Sequence, residues 1–267
     1  MTHVFDAGLH LEPAGDGVVR GSTHPQWANM VGPFGGMTAA TILRAVECRP
    51  DVHGDPLALT VNFLAPITDG EFLISTRAVR TNRSNQHWII ELTQDGEVKT
   101  TATAVFGPRR DTWASPQEAP PNVSVPEDIE PQGFPVPITW TTQYEMRFIE
   151  GAVPQPGSEP SESSTTTLWV RDQPARPLDF AALTAQCDIF YPRIYLRLGT
   201  AVPAGTISMT VYFHAGRDDL DAHGDDFVLA TAHAQRFGGG YFDQSGQIWD
   251  RNGALLASTH QLVYFKN

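Results

Sequence analysis

The sequence predicts an α+β fold made from one supersecondary unit used twice. Three observations point to it: a matched pair of β-hairpins, a buried helix ahead of strands in each half, and a proline-rich stretch between the halves. A helix followed by several antiparallel strands is the pattern of a sheet with a helix packed on its face.

The hairpins are the most legible elements. Residues 246–265, GQIWDRNGALLASTHQLVYF, contain Asn252-Gly253. That dipeptide suits a two-residue turn, where both central residues need positive φ. Period-2 alternation then puts Leu255, Ala257, Thr259, Gln261, Val263 and Phe265 on one face. Gln261 is the odd member, because an amide on an apolar face must find partners or cost roughly 1–3 kcal/mol. Residues 88–106, WIIELTQDGEVKTTATAVF, repeat the unit around Asp95-Gly96. Counted from the turn glycines, Ala104 stands where Gln261 does, so a methyl in one copy answers an amide in the other.

Taken in order, the chain opens with short candidate strands at 4–11 and 17–22. Val31-Gly32-Pro33-Phe34-Gly35-Gly36 then leads into MTAATILRAVE, apolar on almost every side and therefore a buried helix. The paired glycines allow close backbone approach and leave free N–H groups at the helix start. Strands are predicted at 57–66 and Glu71–Thr81, before the first hairpin. Residues 108–137 are dense in proline and acidic side chains and read as a linker, and 151–165 as a mobile loop. The order then repeats. A strand at 166–171 precedes a helix that opens at the N-cap candidate Asp179 and is expected to run as far as Pro192. Strands at 206–215 and 227–236 precede the final hairpin. Thr60-Val61-Asn62-Phe63 aligns with Thr210-Val211-Tyr212-Phe213, which sets Thr206 against Pro56. The chain thus divides into 1–107, a linker at 108–137, and 138–267.

Bulk properties narrow the function. A net charge of −12 argues against nucleic acid or an anionic membrane as partner. No apolar run reaches membrane-spanning length, the N-terminus lacks a signal pattern, and the cytoplasm is the expected location. Cys48 and Cys187, both in apolar helical contexts, are expected to be buried free thiols. No Cys/His cluster has metal-ligand spacing and there is no G-x-S-x-G elbow, so neither metal nor cofactor is called for. Asp188 is the one ionisable group within an otherwise apolar helix, and a buried carboxylate is costly unless bonded.

The series FGG-plus-helix, TVNFLAP, the DG hairpin, the Pro-rich linker, AQCD, TISMTVYFH and NGALLASTHQ resembles the acyl-CoA thioesterase II family over roughly residues 25–107 and 165–265. The resemblance implies a double hotdog: two antiparallel sheets, each wrapped around a long central helix, pairing into one. It also implies hydrolysis of an acyl-CoA, with an Asp, a Thr and a Gln holding the attacking water. By motif these are Asp188 in TAQCD, Thr206 in TISMTVYFH and Gln261 in ASTHQ. An ionised Asp accepts a proton from water while hydroxyl and amide orient it. The developing oxyanion needs a donor, and the Gly36 backbone N–H at a helix start is the candidate. The family pattern is broken at Ser208-Met209, at Arg236-Phe237-Gly238-Gly239-Gly240 and at Leu262-Val263, departures that bear on substrate range. A homo-oligomer is expected from apolar outer sheet faces. Two alternatives stay open: an acyl- or lipid-binding module without turnover, and a hydratase-like enzyme using His24 or His87.

Overall fold

In the computed structural model, which describes residues 2–135 and 138–266, the first hairpin closes as the sequence predicts. Asp95 and Gly96 take φ of 53° and 78°, the positive values a two-residue turn demands. The second hairpin closes differently. Its strands end at Trp249 and resume at Leu255, and Asn252 is not among the positive-φ residues. Asp250 explains the difference: its N–H donates to the Ala254 carbonyl at 2.8 Å and its Oδ1 accepts the Ala254 N–H at 2.7 Å. This side chain-capped loop replaces the tight turn.

The first half comprises α1 (Val4–Gly8), β1 (Glu12–Gly15), β2 (Val18–Ser22), α2 (Gly35–Glu47), β3 (Asp55–Phe63), β4 (Glu71–Thr81), β5 (Gln86–Gln94) and β6 (Glu97–Gly107). The second comprises β7 (Tyr144–Glu150), β8 (Thr166–Asp172), α3 (Phe180–Gln186), α4 (Ile194–Leu198), β9 (Ala204–Phe213), α5 (Arg217–His223), β10 (Val228–His233), β11 (Phe237–Gly238), β12 (Tyr241–Trp249) and β13 (Leu255–Phe265). All strands join one antiparallel sheet in the order β1-β2-β4-β5-β6-β3-β9-β13-β12-β10-β8-β7, with β11 beside β12. From the β3–β9 seam outward the two halves read alike, so the halves pair into one sheet as the duplication predicts. Thr60 faces Thr210 at the seam, their hydroxyls 3.0 Å apart.

Four local expectations are corrected. Residues 4–8 form a helix rather than a strand, with the His3 imidazole capping it by accepting the Phe5 N–H. Strand β7 was not predicted, although Tyr144, Met146 and Phe148 alternate inward as a strand should. Cys48 is exposed at the end of α2, whereas Cys187 is buried. The second helix is short. It starts at its Asp179 N-cap, whose carboxylate accepts the Ala182 N–H at 2.8 Å, but stops at Gln186. Pro192 lies four residues beyond Asp188, where its ring would strike that carbonyl in a continuing helix. Asp188 therefore sits in the turn after α3, not inside it.

Helices α2 and α3 pack against each other on the inner face. From Gly36 to Leu43 every residue of α2 is buried. Arg44, near the end of α2, bonds Asp179 at the start of α3 at 3.0 Å. The helices therefore run antiparallel, and the start of α2 meets the end of α3. The Pro-rich stretch lies along the outer face of the second half, where Val123 and Ile129 pack on Trp169, Phe227, Leu229 and Trp249. Residues 136 and 137 of that stretch lie outside the described residues.

Candidate active site

Burial along β13 follows the predicted alternation, and Gln261 points inward at 3% exposure. Both ends of its amide are engaged. Nε2 donates to Asp188 Oδ1 at 2.8 Å, and Oε1 accepts from Thr206 Oγ at 3.3 Å. Thr206, Gln261 and Asp188 thus form one hydrogen-bonded chain across 73 positions of sequence, assembled by β9, β13 and the turn after α3. The second nitrogen contact of Gln261 is the Met209 sulfur, at 3.5 Å.

The other face of Asp188 is set by the glycines that open α2. A Cβ on Gly35 would lie 2.7 Å from Asp188 Oδ2, and one on Gly36 would lie 2.5 Å from the Ala185 carbonyl. Only glycine lets the α2 N-terminus come this close to the end of α3. The Gly36 N–H, expected to meet an oxyanion, faces the Asp188 carboxylate and favours its ionised form. So does the bond from Gln261, yet burial outweighs both and pushes the carboxyl up to about 7. A carboxyl poised near neutrality can take a proton from water and return it.

The remaining sequence candidates lie elsewhere in the hydrogen-bond network. His24 caps a short 3-10 turn by accepting the Gln26 N–H at 3.3 Å. The His87 ring lies 3.2 Å from the Asn85 side chain. Neither joins the Asp188 chain. A groove of about 330 Å³ lined by His214, Asp219, His223 and Asp250 also excludes Asp188, Thr206 and Gln261.

Three inward polar residues escaped the sequence reading. Gln244 of β12 lies directly opposite Gln261 and is 2% exposed. Its signal was present, since Phe242, Gln244, Gly246 and Ile248 alternate inward as the Gln261 series does. Tyr144 and Asp172 face each other across β7 and β8 and are 5% and 2% exposed. The Tyr144 hydroxyl and both Asp172 oxygens have no hydrogen-bond partner among the described residues. Burial, partly offset by Arg176, raises Asp172 to about 7.

One continuous antiparallel sheet, doubled about a central seam and closed on two antiparallel helices, defines a double hotdog protein. Family models agree in both halves: an acyl-CoA thioesterase N-terminal domain matches residues 23–107, and an acyl-CoA thioesterase C-terminal domain matches residues 116–265. The chain belongs to the acyl-CoA thioesterase family. It is similar over its whole length to a conserved hot dog fold protein of unknown function from Alicyclobacillus acidocaldarius, at 46% identity and a TM-score of 0.96, with 100% of this chain and 99% of that one covered. An acyl-CoA thioesterase II, TesB2, from Mycobacterium marinum shares the fold at 20% identity and a TM-score of 0.76, with 98% of each chain covered. A tesB protein of Mycobacterium avium subs paratuberculosis does so at 19% identity and a TM-score of 0.81, again over 98% of each. No curated protein matches the sequence.

Proposed function

We propose that this protein hydrolyses acyl-CoA thioesters to free acid and CoA by direct attack of a water held by Asp188, Thr206 and Gln261. The observation that carries this reading is the hydrogen-bond chain from Thr206 through Gln261 to a carboxyl poised near 7 at a helix N-terminus. Family membership supports the thioester as substrate. In the ionised state Asp188 takes a proton from the water as its oxygen bonds the acyl carbon. Gln261 holds the carboxylate by one oxygen, and Thr206 holds the far end of the amide, so the acid is oriented before substrate arrives. The tetrahedral oxyanion forms beside the start of α2, where the partial positive charge of the helix favours it. Gly36 is the first candidate donor, although its N–H is shared with Asp188.

The same reading places the division of the chain at 1–107, 108–137 and 138–267, the protein in the cytoplasm, and the assembly as a homo-oligomer. Exposed Tyr212, Tyr241, Leu262 and Tyr264 on β9, β12 and β13 are the surface that would support self-association. Light scattering at micromolar concentration tests the assembly, and a monomer refutes it. The activity is tested by thiol release from a panel of acyl-CoA esters of graded length. Release that depends on Asp188 supports hydrolysis, whereas tight acyl-CoA binding without release favours the non-catalytic module.

A further inference from the structure

An oxyanion served by one N–H that is shared with a carboxylate is short of donors, and an unpartnered hydroxyl sits in the aromatic cluster that includes Phe34, the residue that opens α2. We propose that Tyr144 is a further catalytic residue, its hydroxyl donating a hydrogen bond to the thioester carbonyl oxygen as that oxygen gains negative charge. The proposal rests on the thioesterase reading above.

Tyr144 begins β7, and its ring is packed edge-on against Trp27, Phe34 and Trp140 at centroid distances of 5.8, 6.4 and 6.1 Å. Phe34 immediately precedes Gly35, whose Cα abuts the Asp188 carboxylate, so this cluster ties Tyr144 to the α2 N-terminus. The ring is held and the hydroxyl is not: it is buried without a partner among the described residues. A phenylalanine would fill the same space without stranding a polar atom, and a stranded hydroxyl costs stability. Burial first, then the charges of Asp172 and Asp188, hold the phenol well above its ordinary range. The group is therefore protonated, and a donor, at any working pH. That Asp188 is among these charges places the hydroxyl within electrostatic reach of the proposed base. Trp140 Nε1 is also an unpartnered donor, but its ring is stacked on Phe34 at 4.1 Å.

The step balances. Water loses a proton to Asp188 as its oxygen bonds the acyl carbon, and the carbonyl π pair moves to oxygen, where the Tyr144 O–H meets it. The pair then returns, the C–S bond breaks, and sulfur leaves with its electrons and takes the proton from Asp188.

The test is Tyr144→Phe beside wild type, read by steady-state thiol release from acyl-CoA and by thermal unfolding. The expected result is a kcat lower by about 10²-fold, the usual worth of one oxyanion donor, with KM changed by no more than about threefold. The same variant should unfold about 2–4 °C higher, because a stranded hydroxyl has been removed. A wild type that turns over and a variant that keeps its kcat would overturn the Tyr144 role and leave the thioesterase reading intact. A variant that loses activity and melts lower would assign Tyr144 to packing and also overturn the role. A wild type that binds acyl-CoA yet releases no thiol would sink both.

Discussion

The two halves of the sheet carry the same register and different chemistry. On the first side of the seam Leu59 pairs with Ala104 and Pro56 with Phe106; on the second, Met209 pairs with Gln261 and Thr206 with Val263. Both pairs of strands are irregular at the same place, between Pro56 and Ala58 and between Leu262 and Val263. Matching register thus presents a methyl and a proline in one copy, and an amide and a hydroxyl in the other. The helices diverge in the same sense. Helix α2 runs unbroken from Gly35 to Glu47, whereas α3 gives way after Gln186 to a turn that holds Asp188. The first copy supplies packing and a helix N-terminus, and the second supplies the ionisable and orienting groups. Neither copy alone contains the site, since Asp188 is flanked by Gln261 from its own half and by Gly35 and Gly36 from the other.

The largest expected effect comes from removing the acid that has no counterpart in the first half. Asp188→Asn keeps the size and loses the base, so kcat for thiol release should fall by about 10²–10⁴. Next is Gln261→Ala, which copies Ala104: circular dichroism should report a folded protein while kcat falls by about 10². The reciprocal change, Ala104→Gln, puts an amide where no carboxyl waits and should cost about 1–3 kcal/mol in denaturant unfolding without raising activity. Combining Asp188→Asn with Gln261→Ala should cost much less than the two losses added, because the groups act as a unit.

The pH dependence sharpens the contrast. The active form of Asp188 is ionised and its value is raised to about 7, so kcat/KM should fall about tenfold per unit as pH drops below 7. Stability should move the opposite way. Glu47, Asp172 and Asp188 rise from 4.5, 3.8 and 3.8 to about 7 on folding, so the folded state binds more protons between roughly pH 4 and 7. Unfolding free energy should then decline as pH rises across that window, by about 1 kcal/mol per unit for each group. A flat stability profile there would contradict the burial of these carboxyls.

Smaller effects should follow at the seam between copies. Gly35→Ala places a methyl 2.7 Å from Asp188 Oδ2, and the displaced carboxylate should lower kcat by about tenfold. Thr206→Val removes only the last link of the chain, 3.3 Å from Gln261, and should lower kcat by about 3–10-fold. A Thr206 effect as large as that of Asp188 would mean that the hydroxyl does more than orient.

By itself the sequence determined the duplication, the register and most strands. Period-2 alternation, turn residues and the Asp179 cap are local signals, and a one-residue slip would have turned Gln261 and its neighbours to solvent. Asp188, Thr206 and Gln261 were singled out together by the resemblance of their motifs to the acyl-CoA thioesterase II family. Only the tertiary structure decided how those residues meet. The length of α3 hung on Pro192 and the packing of the turn before it, and the loop at Asn252 on the Asp250 side chain. The partners of Asp188 depended on antiparallel packing of α2 on α3, which joins residues some 150 positions apart and leaves no trace in local pattern. Tyr144 and Asp172 went unseen for a related reason. A polar atom near the start or end of a strand reads as ordinary until the neighbours that bury it, and fail to bond it, are in place.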